Sequence, residues 1–340
     1  MILLVAAACT GDSADGQATT ETGDTTPATD TGPPAARFDV ALTDIPGGTL
    51  LAAWSAGDEV WFAGGDLSNL VGNTGSIARL DPAAGTVCVE AGVADRTLWW
   101  LHGTSPADWY AVGAEGRVVH EVDGVRTRED LPTGATLFGV WATDTEAWAV
   151  GANITTDQSG EVWLRRDGAW SLVATTPAPL FKVWDRLIVG DGSAFRIEKD
   201  DTLTDITAPD RPRLVTIRGT GPDDAWAVGG LSSPILRHWD GSTWTERSVD
   251  LFCGSGGLNG VFTAADDDLW VAGGFGEMAV LADDAWDCPV PPLTLEHFHA
   301  VWRHEDTMYW AGGNLFSPGN NYGTIGRYGA PAEPLTLSCP

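Results

Sequence analysis

The fifteen residues LFGVWATDTEAWAVG (137–151) decide how this chain is to be read. They hold a short apolar run that reaches Trp141, an acidic turn at 144–146, and a second apolar run that closes on Gly151. Two runs of strand length joined by a turn of acids form a hairpin pattern. The same unit recurs in both directions along the chain: LLAAWSAGDEVWFAGG (50–65) and LWWLHGTSPADWYAVG (98–113) before it, then LFKVWDRLIVG (180–190), LVTIRGTGPDDAWAVGG (214–230), LNGVFTAADDDLWVAGG (258–274) and FHAVWRHEDTMYWAGG (298–313) after it. Taking Trp54, Trp100, Trp141, Trp184, Arg218, Phe262 and Trp302 as anchors, successive units stand 34 to 46 residues apart. Intervals of this size belong to stacked supersecondary repeats.

Each unit continues into a third strand and often through an Asp-Gly turn into a fourth, as at Asp123-Gly124, Asp167-Gly168 and Asp240-Gly241. Such pairs suit hairpins because both positions tolerate φ > 0. A four-stranded meander has two apolar faces and cannot cover either alone, so the units must stack, and closing the ring protects their edges. The pattern predicts an all-β fold, a seven-bladed β-propeller of four-stranded antiparallel blades over 37–340. Trp61, Trp109, Trp148, Trp226, Trp270 and Tyr309 recur in the second strand of six units and are expected to fill the wedges between blades, each polar edge finding an acceptor. In the fourth unit the turn shrinks to Asp185-Arg186 and the aromatic gives way to Leu187 and Ile188. It reads as a degenerate blade, the alternative being six blades with an inserted hairpin. Either FDVALT (38–43) or LTLSC (335–339) is expected to supply the outer strand of the last blade.

The pattern VWA…D.WAVGG…W.G..W resembles the tryptophan-rich propeller repeats of bacterial exported proteins, a loose relative of kelch, WD-type and Asp-box propellers, over about residues 48–335. The resemblance implies the fold and leaves the activity open, because propellers host many functions. In HWDGSTW (238–244) Asp240 and Gly241 are adjacent where an Asp-box separates them, so this stretch reads as a hairpin turn. At the other end, MILLVAAAC (1–9) sets a short apolar run before Cys9 without the basic residues of a secretory signal. VAAAC resembles the lipobox of bacterial lipoproteins, although Ala6 stands where that family prefers Leu. This resemblance implies lipid attachment at Cys9, export, and a place in the bacterial cell envelope, anchored to the outer membrane. Residues 10–36 are rich in Thr and Asp and contain no aromatic residue, Lys or Arg, which predicts a disordered tether between the 1–9 segment and the propeller.

Lys and Arg number 19 against 47 Asp and Glu, a formal net charge of −28. Such a surface repels phosphate backbones and anionic headgroups, so nucleic acid is excluded as a partner and membrane contact is expected only through the lipid. A monomer is expected. Beyond Cys9 the cysteines are Cys88, Cys253, Cys288 and Cys339, an even number that suits an oxidising compartment. In the repeat register they predict Cys253–Cys288 and a clasp across the ring closure, Cys88–Cys339, with four free thiols as the alternative.

Function has to come from the two faces of the disc. The turns between strands one and two and between three and four carry most of the acids, among them Asp266, Asp267 and Asp268. They read either as a solvated acidic face, since Asp is a good turn residue, or as a Ca²⁺ site. The opposite face receives three long polar loops at 66–75, 152–160 and 314–323. Units seven and one are neighbours, which should bring Asn314, Phe316, Asn320, Asn321 and Tyr322 near Asp66, Asn69 and Asn73, a mixture suited to sugar hydroxyls or a partner loop. Catalysis finds little support. His297 and His299 in EHFH could ligate a metal, and Ser255 lacks the setting of a nucleophile elbow. The expected function is a non-catalytic, envelope-anchored scaffold recognising a protein or glycan of the envelope through face loops, with no cofactor unless Ca²⁺. A metal-assisted hydrolase at His297 and His299 and a purely structural surface lipoprotein are the alternatives.

Overall fold

The computed structural model describes residues 35–67, 74–249, 256–264, 268–315 and 321–339. Cys9 with its flanking lipobox and tether, and also Asn69, Asn73, Cys253, Asp266, Asp267, Phe316 and Asn320, lie outside these described residues. From Ala35 onward the chain forms seven antiparallel sheets. In chain order they are blade I (49–94), II (98–128), III (136–176), IV (180–205), V (214–246), VI (258–287) and VII (297–329). Blade IV is complete, with strands Leu180–Trp184, Leu187–Gly190, Ala194–Ile197 and Leu203–Asp205, so the count is seven. Among the described residues no helix is long and apolar enough to cross a membrane.

The repeat signature has a steric cause. Each second strand carries a Gly at or next to its end, and in six of the seven blades its Cα lies tight against the carbonyl that precedes the first strand's apolar run. A Cβ on Gly151 would sit 2.3 Å from the Thr136 oxygen, and one on Gly229 would sit 2.0 Å from that of Arg213. The first strands share a second device: every one shifts register just after its first apolar residue, from Leu50/Ala52 in blade I to Phe298/Ala300 in blade VII. A bulge adds a residue and sharpens the twist. It frees Leu51, Trp99, Phe138, Phe181, Val215, Asn259 and His299 from the ladder, and several of these meet across blades. Trp99 lies edge-on to Phe138 at 5.0 Å and to His299 at 6.0 Å, and Phe138 meets Phe181 at 5.6 Å.

The backbone pairing corrects the expected anchors in blade II. Trp54 pairs with Trp61 and Trp141 with Trp148, and their counterpart is His102 paired with Tyr110. Trp100 lies two residues earlier, opposite Val112, and Trp109 lies on the neighbouring position opposite Gly103. The doubled aromatics Trp99-Trp100 and Trp109-Tyr110 allow two registers in the sequence, and only the ladder separates them. The second-strand rings are otherwise as expected: Trp61, Trp148, Trp270 and Tyr309 are buried. Their polar edges are not uniformly satisfied. Trp148 Nε1 donates to Glu146 at 3.0 Å, whereas Trp61 Nε1 is buried without a partner beneath the Arg79 guanidinium, which lies 5.4 Å from the ring.

The ring closes twice. The strand Arg37–Ile45 runs antiparallel to Gly323–Gly329 and becomes the outer strand of blade VII, so the N-terminal candidate takes that place. The C-terminal candidate goes to the other side of the seam. Thr336–Leu337 pairs in parallel with Thr86–Val87 as a fifth strand of blade I, and Cys339 is bonded to Cys88. Cys288 is also disulfide-bonded, and Cys253, its expected partner, lies outside the described residues. The Asp-Gly turns behave as anticipated at Asp123-Gly124 and Asp167-Gly168, where both residues have positive φ. Asp240 instead accepts the amides of Ser242 and Thr243 at 2.9 and 2.7 Å, which lowers its pKa and closes the Trp239–Trp244 hairpin.

Candidate functional site

In a meander, the connections between strands two and three and those between successive blades emerge on one face, here called the loop face. On it the structure unites half of the polar set expected from sequence. Asn321 Nδ2 donates to Asp66 Oδ1 at 2.9 Å, the Asn314 carbonyl accepts from Thr49 Oγ1 at 2.8 Å, and the Tyr322 hydroxyl donates to Glu296 Oε1 at 2.6 Å. The adjacent carboxylate raises the Tyr322 pKa. Thr97 Oγ1 donates to the Asp66 carbonyl. These bonds tie the loop bases to one another, so the polar groups serve the seam between blades VII and I.

Beside this seam lies a feature that residue patterning missed. Leu231 is 78% exposed, Leu295 76% and Val290 66%, with Phe275 and Leu293 about half exposed. These are five of the nine exposed large apolar residues among those described, and all five sit on the loop face of blades V to VII. The segments that carry them touch. A Cβ on Gly257 would meet the Gly230 carbonyl at 2.1 Å and the Leu231 amide at 3.1 Å, and one on Gly276 would meet the Thr294 carbonyl at 1.9 Å. The Gly276 amide donates to the Glu296 carbonyl at 2.6 Å, and Phe275 packs on His297 at 4.8 Å. Backbone contacts thus link the turn at 274–276 to the segment at 294–296, which the Tyr322–Glu296 bond joins to the seam, while Leu231 lies against Gly257 of the neighbouring connection. The signal was present in LSSP (231–234) and VPPLTLEH (290–297), whose apolar residues have no partner in the repeat pattern.

The axis forms a second region. At the anchor level the blades contribute Trp54, His102, Trp141, Trp184, Arg218, Phe262 and Trp302. His102 stacks on Trp141 at 3.9 Å. The Arg218 guanidinium sits among the rings, 4.0 Å from Trp302, 5.3 Å from Phe262, 5.5 Å from Trp141 and 5.9 Å from Trp184. One layer closer to the loop face, Lys182 Nζ lies 3.2 Å from the centroid of Trp100 and donates to the Phe138 carbonyl at 2.9 Å. Burial pulls the Lys182 pKa well below its ordinary value and lowers that of Arg218 to about 9.

His297 and His299 are divided between these regions. His299 Nδ1 donates to the Leu51 carbonyl at 3.0 Å, and burial, assisted by the Lys182 charge, pushes its pKa down to about 4. His297 belongs to the apolar patch through Phe275. Among the described residues no three His, Cys, Asp or Glu side chains converge as metal ligands.

No protein family's sequence model matches the chain, and no curated protein matches it at a significant level. Solved structures do. YCF48 bound to D1 peptide superposes with a TM-score of 0.61 at 16% identity, covering 89% of this chain and 98% of the other. The WD40 β-propeller domain of Doa1 gives 0.62 at 10% identity, covering 86% and 97%. The RRP9 WD40 repeats give 0.59 at 12% identity, covering 86% and 98%. At these identities the likeness is one of fold: the chain is a seven-bladed β-propeller with WD40-like structural neighbours.

Proposed function

We propose that this chain is a non-catalytic binding scaffold, tethered to a bacterial envelope through Cys9, that captures a protein segment on its loop face. The observation that carries this reading is the set of exposed apolar residues Leu231, Phe275, Val290, Leu293 and Leu295 on the loop face of blades V to VII. Exposed apolar residues gathered on one face of a rigid β scaffold and flanked by polar groups are a usual mark of a protein interface. The Asn321–Asp66 and Tyr322–Glu296 bonds favour a protein over a glycan, because they occupy donors that sugar hydroxyls would need. A structural neighbour, YCF48, has been solved bound to D1 peptide, which agrees with this use of the fold.

The test is chemical cross-linking in intact envelopes followed by purification of the full chain. Replacing Leu231 and Leu295 by Asp should abolish the cross-linked partner band, and Asp144→Asn on the opposite face should leave it unchanged. Equal cross-linking by the patch variant would overturn the reading. Cys9→Ala should move the protein from the membrane to the soluble fraction, which tests the tether separately.

A further inference from the structure

Two positions on the axis break the repeat in the same chemical direction. Where blade IV has Lys182, the other blades have Ala52, Trp100, Gly139, Thr216, Gly260 and Ala300; where blade V has Arg218, every other blade has an aromatic ring. In a protein of net charge −28 these are two cations at the axis, Lys182 buried and Arg218 partly buried. Among the described residues neither forms an ion pair with a carboxylate, and Arg218 Nε is buried without a hydrogen-bond partner. Lys182 is 3% exposed. Burying a charge is costly unless a counter-charge or hydrogen bonds offset it. One carbonyl and the faces of aromatic rings offset only part of that cost.

Both cations line a single cavity of about 10 Å³, room for one water-sized particle. Its other polar side chains are His102 and Thr216. The Ala142 amide donates to His102 Nδ1 at 3.1 Å, so a neutral imidazole carries its proton on Nε2. Thr216 spends its hydroxyl proton on the Asn259 carbonyl at 2.5 Å. The nitrogen groups around the cavity are therefore all donors, Lys182 and Arg218 being cationic when protonated, and the walls between are Trp100, Trp141, Trp184 and Trp302. A small anion accepts from all of these nitrogens and brings the counter-charge that a neutral water lacks.

We propose that the axial cavity binds one small monovalent inorganic anion of the chloride class, held between the Lys182 ammonium and the Arg218 guanidinium with His102 as a further donor. The site is independent of the exposed loop-face residues, and its role is to offset the positive charge of the axis so that all seven first strands can pack around it.

Thermal melting of the full chain in sodium chloride, sodium bromide and sodium gluconate at equal ionic strength tests this. The melting temperature should rise saturably with chloride and bromide and stay flat with gluconate, which is too large to enter. Bromide should also quench tryptophan fluorescence with the same midpoint, because four indoles line the cavity. In the Lys182→Met, Arg218→Met double variant both responses should vanish, and melting in gluconate should be no lower than in the native chain, since the uncompensated charges are gone. If the double variant does not fold, Lys182→Met alone should weaken the chloride midpoint at least tenfold. Identical melting of the native chain in chloride and gluconate would overturn the proposal, as would a halide response that persists unchanged in the variants.

Discussion

Cys339 is bonded to Cys88 two residues beyond the point where Leu337 lies opposite Val87 in a parallel pair. The tail thus leaves blade VII and is stapled to blade I, while Arg37–Ile45 crosses the same seam in the opposite sense to complete blade VII. The loop closed by the bond spans 251 residues, so it removes much of the freedom of the unfolded chain. A Cys88→Ser, Cys339→Ser variant is expected to lose about 2–4 kcal/mol, read in urea as a lower denaturation midpoint with a steeper slope, since its unfolded chain expands further. The native chain under reducing conditions should shift at least as far, because the bond of Cys288 is lost as well. No shift would mean that the N-terminal strand alone holds the seam.

The N-terminal strand is expected to matter more. Ala41 and Ile45 are buried, Phe38 packs on Tyr328 at 4.7 Å and on Trp310 at 5.8 Å, and the buried Arg327 pairs with Asp39. Deleting residues 35–45 would uncover these groups and leave Gly323–Gly329 as a bare sheet edge, which invites pairing with another chain. The deletion variant should aggregate or elute as oligomers in size-exclusion chromatography. Recovery of a cooperatively melting monomer would show that the seam can close without this strand.

The glycines divide sharply by their surroundings. A Cβ on Gly229 would lie 2.0 Å from the Arg213 oxygen, between two paired strands that cannot separate without breaking the ladder. Gly229→Ala should cost at least about 3 kcal/mol, the upper end of overpacking penalties. Gly221 has no atom within 4 Å of its added Cβ and no positive φ, so Gly221→Ala should fall within about 0.5 kcal/mol of the native chain. Comparable losses for the two would disprove the steric origin of the strand-end glycine.

This contrast also explains what the sequence could reveal. Leu137, Trp141, Trp148 and Gly151 each answer to a requirement that recurs in every blade, so periodicity exposes them, and with them the fold and the blade count. Register in blade II escaped because Trp99, Trp100, Trp109 and Tyr110 fit two alignments equally well, and backbone pairing alone selects His102 as the anchor. The loop-face seam was partly legible, since the order of the blades already brings Asn321 toward Asp66. The exposed apolar residues were not, because Leu231 and Leu295 lie in connections outside the repeat, where no periodic requirement marks them. Arg218 and Lys182 stood in the aligned units as exceptions, yet only the packing shows them without carboxylates.

Glu277 and His299 should give the stability a pH dependence of two opposed parts. Glu161 of blade III, which occupies the matching position, accepts from Trp163 Nε1, Asn153 and Thr133 at 2.8–3.0 Å. Glu277 is 1% exposed and neither carboxyl oxygen has a partner, so burial pushes its pKa up to about 7 from 4.5. Its folded state holds a proton that the unfolded chain has released, so its contribution is complete below pH 4.5 and is lost as pH rises toward 7. His299 works the other way. With its folded pKa near 4 against 6.5, the unfolded chain binds the proton first, and stability is lost as pH falls from 6.5 to 4. Glu277→Gln removes the first part only. Relative to the native chain, this variant should gain stability between pH 4 and pH 8 by an amount on the order of 3 kcal/mol, whatever fixed offset the amide introduces. Urea denaturation of both proteins at pH 4, 6 and 8 reads the difference directly. A variant that differs from the native chain by the same amount at all three would mean that Glu277 is ionised at pH 8 at no cost, and therefore that a solvent path or a cation reaches it.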